Sequence, residues 1–371
     1  MKNSLIVFRS NPVNIGDWIQ CLAASKFFPQ IDTHIERENV SQYDGEYTKA
    51  IMNAWWMWTD NWPPSEKIKP LYVSVHISPE ASKWMLNDKG IKYLKKYEPI
   101  GCRDWNTLKM LKSNGIDAYF SGCLTLTLGK WGGYLSKDRT DEIFICDPYY
   151  NITTKSLLWG RCNLLSLMYV LAKHSKFFKK IYSSFGYKHK MFNIRNKKIK
   201  KVFKYFQLAY FYRVYTSLFS KELIENAVYT TQWIDLKDGD VSSKLSAENK
   251  SFEDELLLSM ADKLIRRYAK AKMVITSRIH CGLPSLGCET PVLFVTSEEL
   301  QSQSKTKVGG RLEGLSDLFH LVTYKKNNTI TLTSELQCKD KLTSKFCFTN
   351  KDIFKKYRDS LIQRCCDFVK V

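Results

Sequence analysis

A chain of 371 residues and 43.3 kDa is too long for one ordinary core and suits two domains of common size. Hydrophobic residues at 44% and charged residues at 25% match soluble globular chains, which excludes disordered, collagen-like and coiled-coil classes. The anomaly is charge: 57 Lys+Arg against 37 Asp+Glu leave +20, which points to an anionic partner without choosing among nucleic acid, a phosphorylated substrate and an anionic membrane surface.

The first apolar run, Leu5 to Phe8, falls short of the roughly 7–15 residues of a signal-peptide core, so the chain is expected in the cytoplasm. No window approaches the apolar length of a membrane span; Cys162 to Ala172, the best candidate, is interrupted by Asn163 and Ser166. The 11 cysteines include no CxxC, and Cys102, Cys123 and Cys146 sit in strand-like runs where a reduced, buried thiol is expected. Strands are predicted at Leu5–Arg9, Ala50–Trp55, Leu71–Ile77, Ile100–Arg103, Tyr119–Cys123 and Glu142–Cys146, alternating with helical stretches in the manner of a parallel sheet wrapped by helices. A second set follows at Ala227–Thr231, Met273–Thr276, Val292–Val295 and Leu321–Tyr324, with a periodic helix over Phe252–Ala271. The expected organisation is α/β: a first domain over 1–147, a connecting segment over 148–221, a second domain over 222–349 and a closing amphipathic helix over 350–371.

The connecting segment holds 16 Lys+Arg, 18 aromatics and no carboxylate. Stretches such as Lys176-Phe177-Phe178-Lys179-Lys180 and Lys198 to Tyr215 interleave cations with rings. That suits a helix in a membrane interface, with rings at the acyl boundary and cations on lipid phosphates. A solvated basic connector remains open. Nucleic-acid binding is disfavoured, because no recognition motif of defined spacing accompanies the patch.

Three motifs carry chemistry. Asn14-Ile15-Gly16-Asp17 follows the first strand and opens a helix, where free N–H groups and the helix dipole hold an anion, where Asp17 is aimed into the interdomain cleft, or where Asn14 or Asp17 simply caps the helix. Arg103 ends a strand at the side where open α/β sheets bind ligands, placed for a phosphate or carboxylate, while the Asp104 that follows caps the next helix instead. Arg278 and His280 leave the strand Met273–Thr276 near a helix amino terminus, an oxyanion site unless the histidine belongs to the core.

Asn14-x-Gly16-Asp17, Arg103-Asp104 with Gly115-Ile116, and Ser277-Arg278-Ile279-His280 with Pro291-Val292 resemble the polysaccharide pyruvyl transferase family in order and spacing, and Gly309-Gly310-Arg311-Leu312-Glu313-Gly314-Leu315 resembles its late loop. The resemblance does not cover the basic segment, and where many members carry Asp-Pro this chain has Ser121-Gly122-Cys123. It implies two Rossmann-like domains facing a cleft, GT-B-like, with the acceptor on the first and phosphoenolpyruvate on the second. It also implies transfer of pyruvate to two hydroxyls of a sugar as a ketal. Arg278 and His280 would then hold phosphoenolpyruvate with Arg103 and Arg311, while His280 and Asp17 with Arg278 would serve catalysis.

The chemistry of that donor asks for fixed cations, a general acid and a general base, but no metal or other cofactor. Asn14, Asp17 and the tryptophans Trp55, Trp56 and Trp58 are the candidate acceptor contacts, since indole faces stack on sugar rings, and Trp62 completes that cluster. The acceptor expected from the basic segment is a lipid-linked sugar or oligosaccharide, with the protein peripheral to the inner face of the membrane. A glycosyltransferase using a nucleotide sugar would use Arg278, His280 and a helix amino terminus equally well, and a non-catalytic glycan- or lipid-binding protein at the membrane, with the cleft vestigial, stays open as a third reading.

Overall fold

The computed structural model describes residues 1–10, 13–53, 55–56, 59–149, 164–182, 184, 197–234, 250–298, 310, 312–325, 327–336 and 340–370. Strand β1 (Lys2–Val7) is buried from Ser4 onward and sits in the middle of a parallel sheet, between β3 (Thr33–Glu36) and β4 (Thr48–Met52), with β6 (Ile68–Tyr72) beyond β4. A bridge between Val75 and Cys102 carries the sheet on to β8 (Ile100–Cys102), which pairs in parallel with β9 (Ala118–Phe120).

The second sheet centres on β10 (Ile143–Cys146), β13 (Met273–Thr276) and β14 (Val292–Ser297), each buried along its whole length. Its order is β11 (Val228–Thr230), β10, β13, β14, β15 (His320–Tyr324) and β16 (Ile330–Leu332); only the β15–β16 pairing is antiparallel.

One hydrophobic core runs from the first sheet to one face of the second, through α1 (Ile15–Ser25), α9 (Lys250–Lys270), α10 (Ile279–Gly287) and a 3-10 turn at Leu124–Thr127. Helix α1 is buried from Ile15 to Ala24 because it has partners on every side, so it shows no solvent stripe. Where the 3-10 turn meets α10 the backbones touch: a Cβ on Gly287 would stand 2.3 Å from the Leu126 carbonyl oxygen. The two halves are also pinned by charge, since Arg9 bonds Glu36 and Asp254 while His34 Nδ1 lies 2.8 Å from Asp254.

The outer face of the second sheet is covered by the described parts of the basic segment: α5 (Leu164–Lys173), α6 (Ser175–Ile181) and α7 (Lys197–Tyr215), followed by α8 (Lys221–Asn226). The rings of α6 and α7 sit otherwise than the sequence suggests. Phe178, Tyr210, Phe211, Tyr212 and Tyr215 are buried against Ile145, Ile275, Leu293 and Val295 rather than turned outward. A sheet with one uncovered apolar face needs large side chains to fill it, and these aromatics do so. Tyr210 and Tyr324 even share a buried hydrogen bond across the interface at 2.6 Å.

The last helix, α11 (Ile353–Lys370), returns to the first sheet. It buries Phe354, Leu361 and Cys365, packs on the 3-10 turn, sets Tyr357 edge-on to Phe120, and receives the Lys49 ammonium on the Val369 carbonyl. No helix among the described residues is long and apolar enough to cross a membrane.

Candidate active site

Two helix amino termini meet where the halves join. Helix α1 follows β1 by way of a short strand ending at Asn14, and α10 follows β13, so both lie beyond the carboxyl ends of parallel strands, where such sheets collect ligands. The short strand β2 (Val13–Asn14) pairs antiparallel with β12 (Trp233–Ile234), and the Ile15 N–H donates to the Gln232 carbonyl at 2.8 Å. Gly16 permits the contact: a Cβ there would lie 2.9 Å from Gln232 Oε1 and 3.0 Å from the His280 Cβ. His280, in the first turn of α10, is therefore pressed against the start of α1.

Asn14 caps α1, with its Oδ1 accepting from the Gly16 N–H at 3.1 Å. Its Nδ2 donates to Asp17 Oδ2, and Gln20 Nε2 donates to Asp17 Oδ1, each at 3.3 Å. The capping alternative thus holds for Asn14, while Asp17 is a buried carboxylate held on both oxygens beside the junction.

Arg278 occupies the N-cap position of α10 in extended conformation and makes no side-chain cap, so the first N–H groups of that helix are not taken by it. Its Nε donates to Asp147 Oδ2 at 3.0 Å, and its guanidinium lies over the Trp233 ring at 5.4 Å. Nη1 and Nη2 bond nothing among the described residues, and the side chain keeps 27% exposure. One edge of the fork is therefore held and the other is presented. Asp147 follows β10 with φ +40°, in the left-handed region that an aspartate tolerates at a cost. It also accepts the Gln232 N–H at 3.0 Å, and its backbone carbonyl accepts the Ser277 hydroxyl. Burial pushes its carboxyl above the usual carboxylate range against the pull of Arg278.

In the sequence Asp147 marks only the boundary of the basic segment. The signal was available, since an acid directly after a buried strand has the placement that singled out Arg103. Gln232 and Trp233 carry no such signal, because only the ribbon pairing brings them here.

Arg103 follows β8 and is buried, its Nε bonding nothing among the described residues. Its electrostatic neighbours are Asp104 and Cys123. Asp104 proves to be the cap of α4 (Trp105–Ser113), accepting the Thr107 N–H at 2.9 Å, and its other oxygen lies 2.6 Å from His76 Nδ1 on β7 (His76–Ile77). Burial pushes the Asp104 carboxyl up, but His76, Arg103 and the Thr107 N–H outweigh it and hold it below its usual value. His76 escaped the sequence reading because only the fold pairs it with Asp104. Ser121 serves the backbone, receiving the Ser74 N–H and donating to the Cys102 carbonyl.

Trp55–Trp56 forms a short strand, β5, beside β7; their side chains, with Trp58 and Arg311, lie outside the described residues. Trp62 is core, 5.6 Å from Tyr93 and 6.2 Å from Tyr72, so it offers no face to a sugar. Close to Arg311 in the chain, the Glu313 carbonyl accepts the Trp105 N–H, so the late loop meets the start of the helix after Arg103. Among the described residues no group of three His, Cys, Asp or Glu is placed to hold a metal.

Strand ends, two helix amino termini and a half-held arginine lie around a buried histidine where the halves of this α/β protein meet, an arrangement of donors that suits an oxyanion. The polysaccharide pyruvyl transferase family is matched by residues 14–299, and the chain belongs to that family of transferases. The match takes in all three motifs and leaves Arg311 beyond its end. Comparison with curated proteins and with solved structures gives no match.

Proposed function

We propose that the protein transfers the enolpyruvyl group of phosphoenolpyruvate to two hydroxyls of one sugar in a lipid-linked cell-surface glycan precursor, forming a cyclic ketal and inorganic phosphate. In this reading the two sheets act as Rossmann-like units facing each other across the site, GT-B-like. The observation that carries it is Arg278: clamped at Nε by Asp147, it presents two N–H donors beside His280 and the start of α10, which its own side chain does not cap. A carboxylate or phosphate oxygen pair matches that fork. Arg103, buried with its Nε unengaged among the described residues, is the second cation for the same donor, and Arg311 a third.

Protonation of the methylene carbon makes C2 an oxocarbenium-like centre, and His280 supplies that proton. One sugar hydroxyl adds to C2, phosphate leaves, and the second hydroxyl closes the ketal. Of the two hydroxyl protons released, one balances the new methyl group and the other leaves with phosphate. Asp17, held by Asn14 and Gln20, receives a hydroxyl proton. Arginines neutralise the departing phosphate, so no metal or other cofactor is required. The tryptophans Trp55, Trp56 and Trp58, with Asn14, remain the proposed acceptor contacts. The charge of residues 148–221 supports work at the anionic inner face of the membrane, where a lipid-linked acceptor resides.

Titration calorimetry tests the donor. Phosphoenolpyruvate should bind the wild type and not Arg278→Ala, and nucleotide sugars should bind neither. Binding of a nucleotide sugar alone, or of neither ligand to the wild type, would overturn the reading.

A further inference from the structure

Six of the most exposed large apolar side chains among the described residues lie on two adjacent helices. Leu164, Leu165, Met168 and Tyr169 project from α5, and Ile199 and Val202 from the first half of α7, each between 45% and 77% exposed. On α5 the spacing i, i+1, i+4, i+5 puts four of them on one face, while Leu167 on the opposite side is fully buried in the second core. Isolated apolar residues on a surface need no explanation, but six gathered on a packed helix pair form a patch. Exposed lysines surround it: Lys173, Lys176, Lys179 and Lys180 along α5 and α6, and Lys198 and Lys201 on α7. No carboxylate occurs anywhere in residues 148–221 to offset them. Beside the patch, an apolar groove of about 260 Å³ opens between α5, α6 and α7, walled by Leu171, Phe178, Val202 and Phe206, with Lys179 on its lining.

We propose that α5 and the amino-terminal half of α7 form a membrane-docking face that lies flat on an anionic bilayer. The six apolar side chains enter the acyl boundary, the lysines meet lipid phosphates, and the groove receives one acyl chain. The rings of residues 176–180 and 198–215 that the sequence suggested for this task pack on the second core, and Leu164, Leu165, Ile199, Val202, Met168 and Tyr169 perform it instead. The orientation follows from length: at about 1.5 Å per residue, the ten residues of α5 reach roughly half-way through a bilayer's apolar layer, so the helix rests on the membrane instead of crossing it. A protein partner is the poorer fit, because five of the six side chains are aliphatic or thioether, whereas protein hot spots draw on Trp, Tyr and Arg. The purpose of the face rests on the reading of a lipid-linked acceptor; its detection does not.

Vesicle flotation of the full chain at low salt tests it without any turnover. The wild type should float with phosphatidylcholine vesicles containing phosphatidylglycerol, and at least about tenfold less with phosphatidylcholine alone. The pair Leu165→Glu and Met168→Glu should cut flotation about tenfold, with the circular dichroism spectrum and melting temperature unchanged, since both residues are already solvated. Lys198→Glu with Lys201→Glu should weaken it and flatten its salt dependence. Failure of the wild type to float on anionic vesicles, or equal flotation of the glutamate variants, overturns the proposal. So does a lipid-free wild-type dimer in sedimentation that the same substitutions dissociate, which would assign the face to a second copy. Flotation without phosphoenolpyruvate binding would leave the docking face standing and remove the donor reading.

Discussion

Arg278 shows how a buried carboxylate fixes a guanidinium fork. Its Nε is held by Asp147, so the guanidinium plane is set before any ligand arrives and little side-chain entropy remains to be lost. Arg278→Lys keeps the charge but loses the fork, and kcat/KM for phosphoenolpyruvate should fall about 100-fold. Asp147→Asn should weaken donor binding about tenfold in calorimetry while leaving the melting temperature unchanged or raised. The sign follows from burial: a carboxyl whose folded pKa lies above its unfolded one is a cost to the fold once ionised, so removing the charge costs no stability. Donor affinity of the wild type should also fade on acidification at a pH above 3.8, the value of an ordinary aspartate, and Asp147→Asn should flatten that limb. Arg278 and His280 were legible in the sequence because a strand followed by a helix is a local signal. Asp147 had the same local signal. Trp233, Gln232 and His76 did not, since their partners lie far away in the chain.

Helix α1 depends on its first glycine. Gly16→Ala would put a methyl 2.9 Å from Gln232 Oε1 and 3.0 Å from the His280 Cβ, so the Gln232 side chain must turn aside and His280 must shift by a few tenths of an ångström. Urea unfolding should show a loss of about 1–3 kcal/mol, and activity should fall further than stability, because the displaced His280 is the proposed proton donor. Helix α11 is the other element that joins the halves: Leu361→Ala should cost about 2–5 kcal/mol through the cavity it leaves. The long apolar strands and the two periodic helices Lys250–Lys270 and Ile353–Lys370 were visible as patterns. Strand Thr33–Glu36 was not, because only Ile35 in it is buried, and the ribbon of Val13–Asn14 with Trp233–Ile234 is too short to carry a period.

Across the molecule, charge is segregated: outside residues 148–221 there are 41 Lys+Arg against 37 Asp+Glu, so the halves that hold the site are nearly balanced. Asp254 anchors their junction. Burial raises its carboxyl, but hydrogen bonds and charge from His34 and Arg9 outweigh it and hold it below 3.8. A lowered folded pKa gives stability that is present above the unfolded value and lost as pH falls through the folded one. Urea midpoints should therefore drop as pH falls below 3.8, and Asp254→Asn should be less stable at pH 7 with a shallower acid slope.

The alternation of apolar runs made the α/β class readable before any coordinates, and three short motifs in order were enough to suggest the family, because strand periodicity and strand-to-helix junctions are local properties of the chain. Where the described rings of the basic segment go, and which acid clamps Arg278, were settled only by tertiary structure. A cation–aromatic pattern looks the same whether its rings face lipid or a sheet, and a carboxylate 131 residues from its arginine becomes a partner only when β10 and β13 lie side by side.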